Sequence, residues 1–362
     1  MKEHDKTRID ATIIADSVNE QGDRITSFLL TFPRIVLAEL NTHRMFSRNS
    51  ASSRAIPFKR MLGMVEENPF VPIAWQKDHS GMQGNEYWTN AETIQEALDV
   101  HTPAVEYFER KWLETRNSAV HNACHLANQG LTKQLVNRTL ESFMWHTVIV
   151  TATEFENFFH LRCPQYEVGD DEKAGRVVRS RSRAVEIRPE LEGLTDLDWL
   201  GRNRGGAEIH ISRLAELMWD EYRKSEPRKL SDREWHVPFG ETFDEDRLRE
   251  LSEKSGKNIE TLKVCIATAR CARVSYVNYE GKDDYEADLK LYERLSSMGH
   301  WSPFEHCAEC MTQNQYEKHV RGQGVWNEEG TALKFEDDVF GWNGNFRGFT
   351  QLRKKFGGEN VT

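Results

Sequence analysis

The chain has 362 residues, of which 38% are hydrophobic and 29% charged, and it carries a formal net charge of −10. These values argue against a disordered chain and against a general nucleic-acid binder, whose affinity would come from basic residues that neutralise phosphates. The N-terminus opens with charged residues and lacks the apolar core of a signal peptide, and no run approaches the roughly 18 apolar residues of a membrane span. We therefore expect a cytoplasmic protein with neither membrane nor nucleic acid as a partner, and with its six cysteines reduced.

The predicted elements begin with a β-hairpin over residues 11–38, whose second arm is interrupted by Pro33. Helical spacing of apolar residues then predicts one or two amphipathic helices from Asn90 to about Asn128, on the residues Ile94, Leu98, Val105, Phe108 and Trp112. Further helices are predicted over 140–162, 207–223 and 283–298, the last ended by Gly299. The mixture of strands and helices predicts an α+β protein.

Residues 41–54 concentrate arginine, histidine, asparagine and serine directly after the hairpin, and no acidic residue occurs between Leu40 and Val65. Guanidinium, imidazole, amide and hydroxyl groups are donors that suit phosphate. The segment therefore predicts a local anion-binding site on an acidic protein.

Residues 165–206 differ from the rest of the chain by their mixed charges and glycines, with arginines at 176, 179, 181, 183 and 188. We predict an inserted, exposed excursion whose charges are solvated. A clamp on a ligand or on RNA stays open as the alternative.

Two clusters of histidine and cysteine residues are candidate metal ligands. His121 and His125 lie four residues apart beside Cys124, but no further ligands accompany them. Cys307 and Cys310 would point to opposite faces of the strand expected after Pro303. We predict no metal.

Two other segments carry polar residues at informative spacing. In the turn after Gly299, Ser302 and Glu305 are expected to converge with the histidines His300 and His306. On a helix over 151–162, one face would present Glu154, Asn157, Phe158 and Leu161. A buried asparagine there needs a partner, which backbone or a ligand can equally supply.

Three blocks of sequence together resemble the flavin-dependent thymidylate synthase family. Its signature R-H-R-x-x-S-x-N-x-x-S-x-R is matched at Thr42-His43-Arg44 and then at Ser47, Asn49, Ser52 and Arg54. Its A-R-V-S and G-H-x-[ST]-P-F-E-H blocks match residues 272–275 and 299–306, and its N-F-x-x-L-R block matches residues 157–162. The P-F-E-H block here follows the R-H-R block, so the chain resembles a permuted, enlarged member of a kind associated with phages, which would work in the host cytoplasm.

The resemblance implies roles for residues of these blocks. Residues beside the flavin would be His43, Arg44, Asn49, Asn157, Ser275, His300, Ser302 and Glu305. Residues holding the nucleotide would be Glu39, Ser52, Ser53, Arg54 and Arg162. Of these, Arg162, Ser52 and Arg54 are the expected catalytic set. Arg162 would polarise the uracil, Ser52 would orient the nucleotide, and Arg54 would face its phosphate.

The resemblance also implies an activity and a fold. It implies FAD as cofactor, NADPH and methylenetetrahydrofolate as co-substrates, and methylation of dUMP at C5 to give thymidylate. The implied fold is an antiparallel or mixed sheet flanked by helices, in a homotetramer with shared active sites. We expect one catalytic domain over 1–362, with the insertion at about 165–206 and a C-terminal extension at about 313–362.

Departures from the family leave alternatives open. Thr42 replaces an arginine, Glu39 and Thr151 stand where relatives carry glutamine and asparagine, and Glu208 lies in a reduced block over 207–211. One alternative is a hydroxymethylase acting on dUMP or dCMP, and another is a nucleotide- or RNA-binding protein that has lost catalysis. In the extension, Trp342, Phe346 and Phe349 would form a lid or pack as part of a terminal helix.

Overall fold

The computed structural model describes residues 4–81, 84–169, 177–276, 283–319, 325–326, 333–334 and 340–357. The β-strands are β1 Asp10–Val18, β2 Arg24–Pro33, β3 Ser47–Ser50, β4 Thr93–Ala97, β5 Val100–Pro103, β6 Trp145–Ala152, β7 Tyr166–Glu167, β8 Val177–Val178, β9 Arg228–Lys229, β10 Trp235–His236, β11 Ala308–Cys310, β12 Val325–Trp326, β13 Leu333–Lys334, β14 Trp342–Asn343, β15 Phe346–Arg347 and β16 Phe349–Gln351.

The α-helices are α1 Leu37–Asn41, α2 Phe58–Glu67, α3 Ala104–Asn128, α4 Lys133–Val136, α5 Glu156–Arg162, α6 Arg181–Ile187, α7 Asp196–Arg202, α8 Ile209–Lys224, α9 Glu245–Ser255, α10 Ile259–Arg273, α11 Tyr285–Ser297 and α12 Gln313–Lys318. A 3-10 turn at Ser302–Glu305 leads into β11.

The central sheet has the strand order β3-β6-β2-β1-β9. Its first four strands are antiparallel and β9 is parallel to β1, so the sheet is mixed. The predicted hairpin is confirmed as β1 and β2, and β2 ends at Pro33. The α+β class and the mixed sheet flanked by helices are therefore confirmed, while the permuted order of the blocks stays a prediction.

Helices cover both faces of this sheet. On one face, Phe28, Leu30 and Val150 pack with α5 and α8. On the other face, Leu29 and Ile149 pack with α9 and α10. Because successive strand residues point to opposite faces and both faces are covered, β2 and β6 are buried at almost every position.

This two-sided burial explains why the predicted helix over 140–162 is wrong in part. Residues 145–152 form strand β6, and only Glu156–Arg162 is α-helical. A short continuous apolar run fits a buried strand and a buried helix equally well, so periodicity alone does not separate them. The predicted end near Cys163 is confirmed.

The predicted helix from Asn90 is also corrected. Residues 93–103 form the β4–β5 hairpin, in which Leu98 is 88% exposed, and the helix begins only at Ala104. Pro103 sits directly before that helix, where its fixed φ and missing N–H are tolerated. The helices predicted over 207–223 and 283–298 are confirmed as α8 and α11, and Gly299 follows α11 with a φ of +70°.

The segment 165–206 is not the exposed excursion that its charges predict. Tyr166, Val178, Ala184, Leu191 and Trp199 are buried together as a small core. Its arginines pair with carboxylates, namely Arg179 with Glu156, Arg181 with Asp196 and Glu216, Arg183 with Glu186, and Arg188 with Glu190. Arg176 lies outside the described residues.

Glu216 of α8 fastens this segment to the rest of the protein. Its side chain is 1% exposed. The carboxylate accepts one hydrogen bond from the Arg181 backbone N–H at 2.6 Å and another from the Arg213 guanidinium at 2.7 Å. We expect Glu216→Ala to lower the free energy of unfolding by about 3 kcal/mol, because it leaves two guanidinium groups without their buried counter-charge. Urea denaturation measures this, with Glu192→Ala at an exposed position of the same segment as the control; equal losses in both variants would contradict the anchoring role.

Residues 342–351 of the C-terminal extension form strands rather than a terminal helix. Strand β16 pairs with β11, and Phe346 and Phe349 are fully buried against Ile25, Leu230 and Cys310. The lid predicted on Phe346 and Phe349 is therefore wrong, since both rings belong to the core. Trp342 lies in the β14–β15 hairpin and is partly buried.

Candidate active site

The three sequence blocks meet around strand β3. Asn49 Nδ2 donates to the Cys271 carbonyl at 2.6 Å, and Ser302 Oγ donates to Asn49 Oδ1 at 3.2 Å. The Ser52 backbone N–H donates to the Ser275 carbonyl at 3.0 Å. Residues more than 220 positions apart therefore form one site beside the edge strand of the sheet.

Asn49 acts as the central connector of this arrangement. Its side chain is 6% exposed, and both ends of its amide are engaged by protein groups from α10 and the 3-10 turn at Ser302–Glu305. An amide buried in this way must find partners. The structure thus assigns to Asn49 the positioning of the blocks at residues 272–275 and 299–306. Its expected place beside a flavin stays a prediction.

The segment after β3 is held by its backbone. Ala51 N–H donates to the Thr147 carbonyl at 2.8 Å, and Asn137 Nδ2 donates to the Ser53 carbonyl at 2.6 Å. The amides of Ala51 and Ser52 are consequently engaged by the protein. Arg54 is exposed, and its guanidinium makes no hydrogen bond or ion pair among the described residues.

Arg162 closes the other side of the site. It is the last residue of α5, and its Nε donates to His43 Nε2 at 3.1 Å while its NH2 donates to Thr42 Oγ1 at 3.2 Å. Because Nε2 of His43 accepts this bond, the neutral ring carries its proton on Nδ1. The block at residues 157–162 is thereby joined to the block at residues 42–54.

The His43 ring is neutral at ordinary pH. Burial, followed by the charges of Arg162 and Arg48, lowers its pKa to about 4. The ring also contacts Phe158 edge-on, with 4.9 Å between ring centres. His43 can therefore donate one hydrogen bond from Nδ1 without adding positive charge.

Glu39 lies one helical turn before Thr42, whose hydroxyl donates to the Glu39 carbonyl at 2.7 Å. The side-chain Oε2 of Glu39 is buried and has no hydrogen-bond partner among the described residues. A buried carboxylate oxygen without a donor is costly. Glu39 is thus equipped to accept a hydrogen bond from a ligand.

Arg48 belongs to this site, although the motif comparison did not select it. It is half-buried within β3, and burial lowers its pKa, as does the neighbouring Arg44, while Glu305 opposes them. Its NH1 reaches only the Leu40 carbonyl, at 3.4 Å. The signal in the sequence was the absence of any acidic residue nearby, which leaves this arginine without a local counter-charge.

Glu305 is paired with Arg353 of the C-terminal extension. In addition, Gln351 Nε2 donates to Ser47 Oγ at 2.8 Å, and Asn345 Nδ2 donates to the Met45 carbonyl at 2.9 Å. The C-terminal extension therefore contacts and supports the blocks at residues 42–54 and 299–306. Sequence reasoning missed this role, because nothing in the family motifs extends to these residues.

Two expectations about side-chain position are corrected. His300 is exposed whereas His306 is fully buried, so the two histidines do not converge in the turn. Asn157 and Leu161 are both exposed, so the stripe predicted on this helix is not an apolar face. Asn157 needs no protein partner and is accessible to a ligand.

Along the chain, His43, the partner of Arg162, precedes β3, and Arg54 follows it. Among the described residues, no cluster of three or more histidine, cysteine or acidic side chains is arranged to hold a metal ion. All six cysteines are free thiols, and no described helix has the length and apolar character needed to cross a membrane.

No model of a known protein family matches the chain, and no curated protein sequence does. Among solved structures, the chain is similar to a UMP/dUMP methylase, PolB from Streptomyces cacaoi, bound with 5-Br UMP, at 13% identity and a TM-score of 0.38, over 60% of this chain and 90% of that one. The same protein bound with 5-Br dUMP gives 12% identity and a TM-score of 0.35, over 56% and 66%.

Proposed function

We propose that the chain is an enzyme that transfers one carbon from methylenetetrahydrofolate to C5 of dUMP, giving thymidylate. The observation that carries this proposal is the contact between the three motif blocks, through Asn49 with Ser302, Ser52 with Ser275, and Arg162 with His43. These contacts bring residues 43, 49, 162, 275 and 302 together around β3, as a shared site requires.

The nucleotide would be held by cationic and hydroxyl groups. Arg54 offers an exposed guanidinium for the phosphate, in a segment whose backbone is already fixed by Asn137 and Thr147. Arg162 would stabilise negative charge that develops on the uracil ring, since a guanidinium fork matches carbonyl and phosphate oxygens. Its own orientation is set by His43 and Thr42.

The residues around β3 fit a flavin. Exposed Asn157, His300 and Arg44 offer donors and acceptors that the protein does not occupy, and the half-buried guanidinium of Arg48 offers a further positive charge. When bound, FAD would supply the hydride that NADPH delivers to it. The task of the chain is then to hold the pyrimidine against that ring and to exclude water.

We also propose a homotetramer in which neighbouring subunits complete each site, as the resemblance to the flavin-dependent thymidylate synthase family implies.

The test is the mass of the nucleotide formed when the purified protein is incubated with dUMP, FAD, NADPH and methylenetetrahydrofolate in the absence of oxygen. Thymidylate is the expected product. Reactions without the folate, and with Arg54→Ala protein, serve as controls and are expected to give little or none. Unchanged dUMP under all these conditions would overturn the proposal.

A second candidate is the addition of water to the transferred carbon, which gives a 5-hydroxymethyl nucleotide. The unpartnered Oε2 of Glu39 favours it, because a carboxylate pairs with the amino group of cytosine better than with a carbonyl. The same incubation with dCMP distinguishes the two, since the hydroxymethyl product is heavier than the methyl product by one oxygen. An RNA-binding role is not favoured, because the described arginines from 179 to 188 are paired with carboxylates.

A further inference from the structure

A row of buried hydroxyl and imidazole groups crosses the central sheet beneath the candidate site. Ser17 Oγ lies 2.9 Å from His236 Nδ1, and His236 Nε2 lies 2.9 Å from Ser27 Oγ. Ser27 Oγ lies 2.6 Å from Thr151 Oγ1, which lies 2.9 Å from His306 Nδ1. The row therefore links strands β1, β2 and β6 to the residue that follows Glu305.

The row is isolated from solvent along its length and differs at its two ends. Ser27, Thr151, His236 and His306 are all 0% exposed, and Ser17 is 3% exposed. Ser17 lines a surface cavity of about 240 Å³ together with Asp16, Glu241 and Lys263. At the other end, His306 Nε2 is buried without a hydrogen-bond partner among the described residues.

The number of protons in the row restricts the directions in which its groups can donate hydrogen bonds. Burial lowers the pKa of both His236 and His306 to about 3, so each ring is neutral and carries one proton. Each hydroxyl also carries one, and every link needs one donor. The Ser27 and Thr151 hydroxyls have no hydrogen-bond partner outside the row among the described residues, so each donates along the row. All groups then donate toward His306, with both rings protonated on Nε2, or all donate toward Ser17, with both rings protonated on Nδ1.

We propose that these five side chains form a reversible proton relay between the cavity at Ser17 and the buried end at His306. When a proton arrives at His306 Nε2, the ring releases its Nδ1 proton to Thr151, which passes its own to Ser27. Ser27 passes its proton to His236 Nε2, His236 releases its Nδ1 proton to Ser17, and the Ser17 proton leaves to water. Each group holds one proton before and after, and the reverse passage restores the row.

The use of the relay rests on the proposed function. Substitution at C5 of a pyrimidine releases one proton, which needs an acceptor near the site. His306 directly follows Glu305 of the second block, and Thr151 pairs with Ser47 at the start of β3. His306 is thus a proton-holding residue behind the site, and Thr151 connects it to the rest of the row.

The direct test reads the protonated nitrogen of His236 and His306 by nuclear magnetic resonance of isotope-labelled ring nitrogens in the full-length protein. We expect both rings to carry the proton on the same nitrogen, and we expect Ser17→Ala to shift the His306 nitrogen signals. The control is Ser212→Ala, which removes a hydroxyl buried to a similar extent, 5% exposed against 3%, on helix α8. Opposite tautomers in the two rings, or unaltered His306 signals in Ser17→Ala, would overturn the relay.

A second measurement separates a relay from a static network. If dUMP is converted, Ser17→Ala is expected to lower kcat about tenfold with an unchanged KM for the nucleotide, while Ser212→Ala leaves both unchanged. Full kcat in Ser17→Ala would show that no proton travels along the row. Since the resonance experiment needs no substrate, failure of the proposed function leaves that test of the relay intact.

Discussion

Replacing Arg162 with alanine is expected to lower the turnover of dUMP by about 10²- to 10³-fold, which is the usual effect of removing one charged or hydrogen-bonding group that stabilises a developing negative charge. Flavin binding is expected to persist, because the change removes a contact of His43 but leaves other residues proposed beside the flavin in place, such as Asn49, which is held by Cys271 and Ser302. Product formation and the visible absorption of bound flavin are the two measurements.

Two control variants sharpen this result. Arg162→Lys keeps the charge but loses the planar fork, so it is expected to recover little of the lost turnover. Arg202→Ala removes an exposed arginine at the end of α7 and is expected to change nothing. Full activity in Arg162→Ala would refute the assignment of Arg162 to the pyrimidine.

The Arg162→Ala protein also offers a readout that does not depend on activity. Burial is the main cause of the low pKa of His43, and the charge of Arg162 is the next cause. Without that charge, the pKa of His43 is expected to rise above about 4 while staying below the ordinary 6.5. Titration of the ring by nuclear magnetic resonance would show this, and an unchanged pKa would mean that the Arg162–His43 contact is absent in solution.

Acid is expected to destabilise the protein steeply, because three histidines besides His43 are buried in the neutral form. His146, His236 and His306 are at most 2% exposed, and burial lowers the pKa of each from 6.5 to about 3. The unfolded chain binds protons at these rings below pH 6.5, whereas the folded chain does not until about pH 3. Stability is therefore present above pH 6.5 and is lost as the pH falls toward the folded pKa values.

The size of this loss follows from proton counting. Near pH 5 the unfolded chain holds almost three more protons on these rings, and each contributes about 1.4 kcal/mol per pH unit, giving about 4 kcal/mol per unit in total. For a domain of ordinary stability this unfolds the protein between about pH 5.5 and 4. Urea denaturation at a series of pH values measures the slope.

A variant at His146 tests the cause. His146 accepts from Arg34 NH1 at 3.0 Å, and His146→Gln removes one titrating group while keeping an acceptor. The slope is then expected to fall by about a third, whereas His101→Gln at an exposed position should leave it unchanged. If the slope is the same in the parent protein and in His146→Gln, then His146 does not contribute to the acid sensitivity.

The sequence was most informative where spacing reflects chemistry. The basic segment 41–54 and the blocks at 157–162 and 299–306 were identified from residue types at fixed intervals, and their side chains meet in the structure. The hairpin, helices α8 and α11, and the stop at Gly299 were also predictable. Local backbone preferences and a single exposed face determine such elements.

Prediction from the sequence failed for elements that are buried on both faces and for charged residues whose partners lie far away along the chain. Strand β6 is buried on both faces and was mistaken for a helix, since no hydrophobic period distinguishes a buried strand from a buried helix. Arg179 and Arg181 looked solvated, because their partners Glu156 and Glu216 lie outside the segment. Phe346 and Phe349 looked available for a lid, because the strand that covers them is far away in sequence.

The sequence by itself therefore determined the α+β class, and its resemblance to a known family supplied the set of residues proposed for the site, while anion binding by residues 41–54 stays a prediction. Only the tertiary structure decided which of these residues touch, that Asn49 is engaged by the protein, and that a buried oxygen of Glu39 has no partner among the described residues. It also placed Ser17, His236 and His306 in one buried row. The physical reason is that spacing along the chain constrains neighbours within an element, whereas hydrogen bonds between distant elements depend on how the sheet and helices pack.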